Sequence, residues 1–449
     1  MQLLQNIFGG ELILAISMCL IVGCKENNPT YSTHIAPIIY KHCTPCHRPN
    51  QIGHFNLLTY SDAKQHAKAM QYCVKQNIMP PWPADASYTR FANEMIMSED
   101  EKRLFDLWVV NNCPIGDSNN IPRVPSYEAR SFLGKPDYTI AVPPQAIAGD
   151  YRDRFLLVKV PFELPQEAYV HTIEFVPGNT KVVHHVNADV VKYTDGLKQN
   201  VFDGEWTQAN PDDSTIKQLY ARMGMLHDDG SYPTLRRNAF NYLPGVIAPV
   251  YPNGIGDIKL AKKNAFLLSD LHYGPYYEPT ADSSYINLFM SKTPPEREVQ
   301  EFQLGTLGVS AIEPSLVLPP NEVSTVRSKY TINKDISIIT LNPHMHLLGK
   351  SFWGFAVAPE GDTIPLIRIP KWDFNWQNFY KPIKPIVLKQ GTTIYAVGVY
   401  DNTAQNPHNP NKPPKEVTDQ RGTMKTTDEM FQFIISYMDY KPGDEKLAL

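Results

Sequence analysis

Three patterns of apolar and polar positions follow one another along the chain. Leu12 to Gly23 is a nearly unbroken apolar run of about 12 residues, too short to span a bilayer and the right length for a signal-peptide core. Helical spacing comes next. Ile35, Ile38 and Ile39 fall at i, i+3 and i+4, and Ser61 to Asn77 reads as a helix containing alanine and lysine. Ser98-x-x-Glu101 is a capping box opening a helix with Leu104, Leu107 and Trp108 on one face. From about residue 136 the pattern changes to short β-rich runs: Phe155–Val160, Val170–Val176, Val182–Val191, Tyr285–Met290, Ile336–Leu341, Thr392–Val399 and Met430–Tyr437. Turns such as Pro177-Gly178-Asn179, Pro252-Asn253-Gly254 and Glu360-Gly361-Asp362 separate several of them. Only Asp213–Met225 interrupts this region with a helical period.

A linker rich in Pro, Asn, Ser and Gly fills residues 114–135, and a Pro- and charge-bearing stretch, Thr293–Gln303, marks a second seam. These boundaries predict a mainly β protein. A small all-α domain over 24–120 precedes two antiparallel β-sandwich domains, over 136–297 and 298–449. Composition agrees, since 39 prolines in 449 residues disfavour a mostly helical chain. A net charge of −4 leaves no basic footprint for nucleic acid.

The apolar run ends in Ile21-Val22-Gly23-Cys24, which looks like a bacterial lipobox. Residues 1–23 then form a lipoprotein signal peptide, and Cys24 carries the lipid. Residues 1–11 depart from the usual signal, since they hold no Lys or Arg and include Glu11. Lys25 follows Cys24, so no aspartate-type retention signal is present. The expectation is an extracytoplasmic lipoprotein of the outer membrane, facing periplasm or surface.

Six cysteines sort accordingly. Cys19 leaves with the signal. Cys43-Thr44-Pro45-Cys46-His47 is C-x-x-C-H, the attachment pattern of haem c: two thiols a helical turn apart meet both vinyl groups, and His47 lies under the iron. No second C-x-x-C completes a zinc site. Met79, in Asn77-Ile78-Met79-Pro80-Pro81-Trp82-Pro83, is the candidate sixth ligand, with Met70, Met95 and Met97 as rivals. The region resembles small cytochrome c domains with an M-P-P-W loop that are fused to extracytoplasmic bacterial enzymes. Cys73 and Cys113 remain, and an oxidising compartment favours a disulfide between them.

Five histidines of the β region stand in patterned positions. His184 and His185 are adjacent, His272 sits in Leu271-His272-Tyr273-Gly274, and His344 and His346 form H-x-H. H-x-H on a strand puts both imidazoles on one face, whereas adjacent histidines reach one metal only at a bulge, twist or strand end. Met430, in Asp428-Glu429-Met430, supplies a thioether near the C-terminus. Imidazole suits copper and zinc, and thioether selects Cu(I).

In the order H-H, H-Y-G, H-x-H-x-L-G, D-E-M, residues 137–440 resemble the copper type II ascorbate-dependent monooxygenases, which include peptidylglycine α-hydroxylating and dopamine β-monooxygenases. The resemblance implies two jelly-roll-like sandwiches holding one copper each. His184, His185 and His272 would bind the electron-transfer copper. His344, His346 and Met430 would bind the catalytic one, where O2 hydroxylates a C–H bond. Trp372-Asp373-Phe374-Asn375-Trp376-Gln377 and Tyr400-Asp401-Asn402-Thr403 also resemble bacterial members, and read as scaffold rather than ligands. The peptide enzyme's carboxylate clamp is missing: Asn342 replaces its arginine, Ile434 its tyrosine and Gln432 its asparagine. A glycine-extended peptide is therefore not the expected substrate. A polar insertion, Thr194–Asn238, either shapes a substrate entrance or is a solvated excursion. His171, His227 and His408 read as ordinary histidines.

Two coppers and a haem c imply a small-molecule substrate, O2 and a one-electron donor, either an ascorbate-like reductant or a periplasmic redox protein. The haem would relay electrons to the copper of His184, His185 and His272. The competing class is a non-catalytic haem and copper electron carrier or copper-binding surface lipoprotein. A β-sandwich adhesion module is disfavoured, because it needs no redox metal.

Overall fold

In a computed structural model, the chain is described over residues 28–49, 51–128, 130–209, 215–256, 258–419 and 426–449. The lipobox and Cys24 lie outside the described residues. Among those described, no helix is long and apolar enough to cross a membrane.

The chain is mainly β, and among the described residues every ladder between strands is antiparallel. The first sandwich stacks two sheets. One runs in the order Thr207–Ala209, Arg154–Glu163, Lys263–Tyr273, Val183–Lys192, Thr234–Tyr242. The other runs Tyr138–Ala141, Tyr285–Ser291, Ala168–Val176, Ile258–Leu260. Inward residues of both sheets, among them Val158, Val186, Phe266 and Leu288, form one core. The second sandwich repeats the plan. Its four-stranded sheet is Gln300–Gly305, Phe431–Asp439, Ile336–Met345, Ile386–Leu388; its five-stranded sheet is Ile312–Glu313, Val323–Thr331, Thr393–Asp401, Gly349–Val357, Thr363–Ile369. Phe352, Phe431 and Phe433 centre its core. Each run expected to be a strand is one, with ends shifted by a few residues.

Among the described residues the helices are short and few. α1 (Ala36–His42), α2 (Tyr60–Lys75) and α3 (Glu99–Val110) precede the sheets; α4 (Ile216–Arg222) lies in the insertion. The Ser98/Glu101 capping box forms as expected. A second, Thr59/Asp62, opens α2. The buried face of α3 centres on Phe105 and Trp108, with Leu104 only packed against it, so the face is rotated from the one expected. Together with Tyr31, Ile35, Ile39 and Ala63 these residues make a separate small core.

The expected Cys73–Cys113 disulfide is absent, and both thiols are free. Helix geometry explains it. The Tyr60 hydroxyl donates to the Cys113 carbonyl at 2.8 Å, placing Cys113 at the start of α2. Cys73 lies near the other end of that helix, about 20 Å along its axis. A disulfide needs Cα atoms within about 7 Å.

The insertion packs onto the first sandwich and is not a solvated excursion. Its strand Thr207–Ala209 adds to a sheet edge, and α4 lays Leu219 against Val191, Ala265 and Leu267. Lys159, fully buried, donates to the carbonyls of Asp203, Met223 and Gly224 at 2.8, 3.1 and 2.9 Å and ties the insertion to the sheet.

Candidate metal centres

His184 and His185 stand on Val183–Lys192, beside His272 on Lys263–Tyr273. The ladder steps from Val183↔Tyr273 directly to His185↔His272, leaving His184 as the extra residue of a bulge. That bulge lets adjacent histidines turn to one side. Ligand atoms of all three imidazoles lie within 4.8 Å of one another. The Nδ1 of His185 is 3.2 Å from that of His184 and 3.3 Å from that of His272.

Two carboxylates set the protons. The Nε2–H of His185 donates to Asp270 and the Nε2–H of His272 to Asp153, each at 2.7 Å. A carboxylate only accepts, so each ring keeps a bare lone pair on Nδ1. Two such lone pairs 3.3 Å apart repel unless a cation lies among them. The donor set therefore fits a metal ion, with the carboxylates orienting its ligands. Burial first, and then the neighbouring imidazoles, push His184 down to about 3 and lower His272 as well, against Asp153. Both are neutral, the form that ligates.

His344 and His346 flank the end of Ile336–Met345, their ring centroids 5.0 Å apart. Gln377 donates to the Phe374 carbonyl at 2.9 Å, which turns its own carbonyl oxygen toward His344 Nδ1. His346 Nδ1–H donates to the Asp428 carbonyl at 3.0 Å. Both Nε2 lone pairs are thereby left to ligate, the opposite choice of nitrogen from the first cluster. Burial, then His346, pushes His344 down to about 3.

Register places Met430. The ladder pairs His344 with Gln432 and Met345 with Phe431, so Met430 stands level with His346. It is buried, yet it lies outside the apolar core that holds Phe431, Phe433 and Ile435. Glu429 fastens the two segments, accepting the backbone N–H groups of His346 at 2.9 Å, Leu348 at 2.6 Å and Met430 at 3.3 Å. Burial, against those three donors, pushes its carboxyl up to about 8.

One cavity of about 80 Å³ joins His184, His185, His344 and His346. Phe374 stands between the sets, its ring 5.8 Å from that of His184 and 5.7 Å from that of His346. Asn342, Gln432 and Ile434, where the clamp residues are replaced, line the same wall. Sequence reasoning read Phe374 and Gln377 as scaffold, and missed Asp153, Asp270 and Glu429. Asp270 carried a signal, lying two residues before His272 on one strand face.

Apart from these, Cys43, Cys46 and His47 form a helical turn beyond α1, with the backbone N–H groups of Cys46 and His47 on the Cys43 carbonyl at 3.2 and 2.9 Å. His47 Nδ1–H donates to the Phe55 carbonyl at 3.1 Å, which leaves Nε2 to ligate. Gly53 packs so closely that a Cβ there would lie 2.8 Å from His47 Nδ1. This turn fits a haem c. Met79 is half-buried, and its backbone N–H bonds to the Cys73 carbonyl at 3.3 Å. Met70 and Met97 belong to the small helical core. His227 bonds Ser231 and the Thr194 N–H inside the insertion, at 2.7 and 3.1 Å.

Paired imidazole clusters facing one cavity from two β-sandwiches define a metal-site architecture, and a family match gives its second half a class. Residues 305–444 match the model of the copper type II ascorbate-dependent monooxygenase, C-terminal domain. The match spans the sandwich carrying His344, His346 and Met430. No curated protein matches the chain. Among solved structures, one of PNGF-II is 10% identical over 67% of this chain and 65% of its own, with a TM-score of 0.23. The chain thus spans about two thirds of that structure's length. A structure of infectious bursal disease virus Gt strain is 9% identical over 68% of this chain and 77% of its own, at a TM-score of 0.15.

Proposed function

We propose that the protein is a copper-dependent monooxygenase that hydroxylates a C–H bond of a small organic molecule, with one-electron equivalents relayed by a haem c. The observation carrying this reading is the single cavity onto which two sets of metal-ready imidazoles open, one of them in the segment that matches the monooxygenase family. The reaction balances as R–H + O2 + 2 electrons + 2 H⁺ giving R–OH + H2O. Copper held by His184, His185 and His272, and by His344, His346 and Met430, supplies the one-electron chemistry and the reduction of O2.

The chain's own residues do the rest. Asp153 and Asp270 keep Nδ1 of His272 and His185 deprotonated; Gln377 and the Asp428 carbonyl do the same for Nε2 of His344 and His346. Phe374 fills space between the sets. Asn342 and Gln432 offer uncharged hydrogen-bonding groups where the clamp is missing, so a carboxylate is not gripped there.

Cys43 and Cys46 would bond the haem, with His47 and Met79 as axial ligands. Contacts support a relay to the copper sets. Arg48 stacks over Tyr127 at 4.3 Å and over Phe132 at 5.4 Å, and the Phe132 N–H donates to Glu174 of the first sandwich at 2.6 Å. The lipobox at Cys24 would anchor this assembly outside the cytoplasmic membrane, at the outer membrane.

Metal analysis of the full chain from a cytochrome-maturing host is the test. Two coppers and one haem per chain are expected, with one copper weakened in Met430→Ala. O2 uptake with ascorbate should stop on copper chelation. One haem without stoichiometric copper would overturn the monooxygenase. Two coppers with neither O2 uptake nor hydroxylated product would favour the non-catalytic carrier. Unchanged turnover in a Cys43→Ser/Cys46→Ser variant, with a haem-accepting donor, would remove the relay.

A further inference from the structure

Behind the metal cavity lies a larger one, of about 170 Å³, walled by both sandwiches. Ala168–Val176 and Thr234–Tyr242 contribute from the first sandwich, Glu301 and Ser436 from the second. The two cavities share Asn241 and Phe379 as common wall. No part of the metal chemistry described above uses this chamber.

Its lining is built by irregularities in otherwise regular strands. On Ala168–Val176 the ladder steps from Thr172↔Phe289 to Val170↔Met290, so His171 is the extra residue of a bulge. On Thr234–Tyr242 it steps from Ala188↔Phe240 to Val190↔Arg236. Asp189 holds that kink by accepting from the Asn238 N–H at 3.1 Å and from Arg237 at 2.9 Å, with Asn238 in the left-handed region at φ 53°. Bulges of this kind redirect side chains, and both lie where the strands wall the chamber.

Two features mark a ligand site. First, Thr172 Oγ1 and Asn241 Oδ1 are buried without a hydrogen-bond partner among the described residues. Buried polar atoms are nearly always satisfied, so such a pair calls for an occupant. Second, the half-buried Arg236 guanidinium forms no ion pair with a described carboxylate. Burial lowers its pKa, and only Glu298, at a distance, opposes that. A guanidinium in such a place is stabilised by a planar, bidentate anion. Glu301 also lines the chamber, and its exposed carboxylate accepts a hydrogen bond from Asn238.

We propose that this chamber is the substrate's anchoring site and that it takes a small organic acid, whose carboxylate pairs with Arg236 and whose remaining polar atoms meet Thr172 and Asn241. The inference rests on the monooxygenase reading for the word substrate. It relocates the acid-binding function lost with the clamp: the positive charge missing at Asn342 is supplied from the other sandwich. The shared wall at Asn241 and Phe379 sets the anchored molecule beside the metal cavity.

Benzoate and its uncharged counterpart benzamide are the probes, titrated calorimetrically into the copper-reconstituted full chain and into Arg236→Gln and Arg236→Lys variants. Copper is counted in each sample. Saturable benzoate binding is expected, preferred over benzamide and weakened at least about tenfold by Arg236→Gln. Arg236→Lys, which keeps the charge, should retain part of the preference and so separates loss of the anion site from loss of the fold. Absence of saturable benzoate binding to the parent chain would overturn the proposal. So would benzoate binding indifferent to Arg236→Gln. Arg236-dependent binding in a chain that takes up no copper would uphold the anion site and overturn the monooxygenase reading instead.

Discussion

At the scale of single residues, the metal-facing nitrogens are chosen by what holds the other side of each ring. Asp270 and Asp153 take Nε2–H in the first cluster, while Gln377 and a backbone carbonyl take Nδ1–H in the second. Asp270→Asn presents an amide that can donate as well as accept, so it no longer fixes the His185 tautomer. Copper affinity of the first site should fall about 10- to 100-fold while the second site stays unchanged, as read by competitive chelator titration with EPR. Acid should also act through these rings. Burial holds His184 and His344 near 3 in the folded chain, against 6.5 in the unfolded one. Between those values the unfolded chain binds more protons, so stability is full above about pH 6.5 and is lost as pH falls toward 3. The melting temperature of the metal-free chain should therefore drop across that window, and less steeply in His344→Gln. The ligand candidates were legible because histidine pairs are rare and their spacing is local. Their partners were harder to read, because aspartate is common on surfaces and Asp153 lies 119 positions from His272.

At the scale of elements, short β-rich runs located the strands, because that signal is carried by consecutive residues. Sheet order was not legible. Arg154–Glu163 pairs with Lys263–Tyr273 across roughly a hundred residues, and nothing local encodes that choice. The insertion shows the same limit: its polar composition concealed Leu219, Met223 and Met225, which cover the outer face of the sheet. Lys159 is the pin. Its ammonium meets three carbonyls, so Lys159→Met would leave all three without that donor in a buried place. A loss of roughly 3 kcal/mol or more is expected, a fall in melting temperature of about 2–4 °C for each kcal/mol. Hydrogen exchange should show the insertion opening first; an unchanged melt would mean the carbonyls find other donors.

At the scale of the whole molecule, the helical segment does not end where the linker begins. Residues 82–93 leave it and join the second sandwich. Phe91 pairs with Pro382, the Ala92 N–H donates to the Lys381 carbonyl at 2.7 Å, and Trp82 and Phe91 meet the Tyr380 ring at 5.2 and 5.3 Å. Asp85 bonds Arg368 beside them at 2.6 Å. Sequence position assigned all of 24–120 to one unit, since helical patterns lie on both sides of this strap and nothing in residues 82–93 names its partner. The weight of the junction lies in its apolar part, because exposed ion pairs such as Asp85–Arg368 contribute only about 0–1 kcal/mol. Phe91, buried in the core of the second sandwich, should contribute about 3–5 kcal/mol against alanine. Phe91→Ala is therefore expected to free the strap while leaving the helical core of Tyr31, Ile35 and Trp108 intact, because Phe91 takes no part in that core. Limited proteolysis should then cut within residues 82–97, and small-angle scattering should report a larger radius of gyration. If electrons pass between the helical segment and the metal cavity, copper reduction should slow in this variant at unchanged haem and copper content. Slow reduction with an intact strap would place the barrier elsewhere. Fast reduction with a freed strap would show that the contacts of Arg48 with Tyr127 and Phe132 suffice to hold the donor in place.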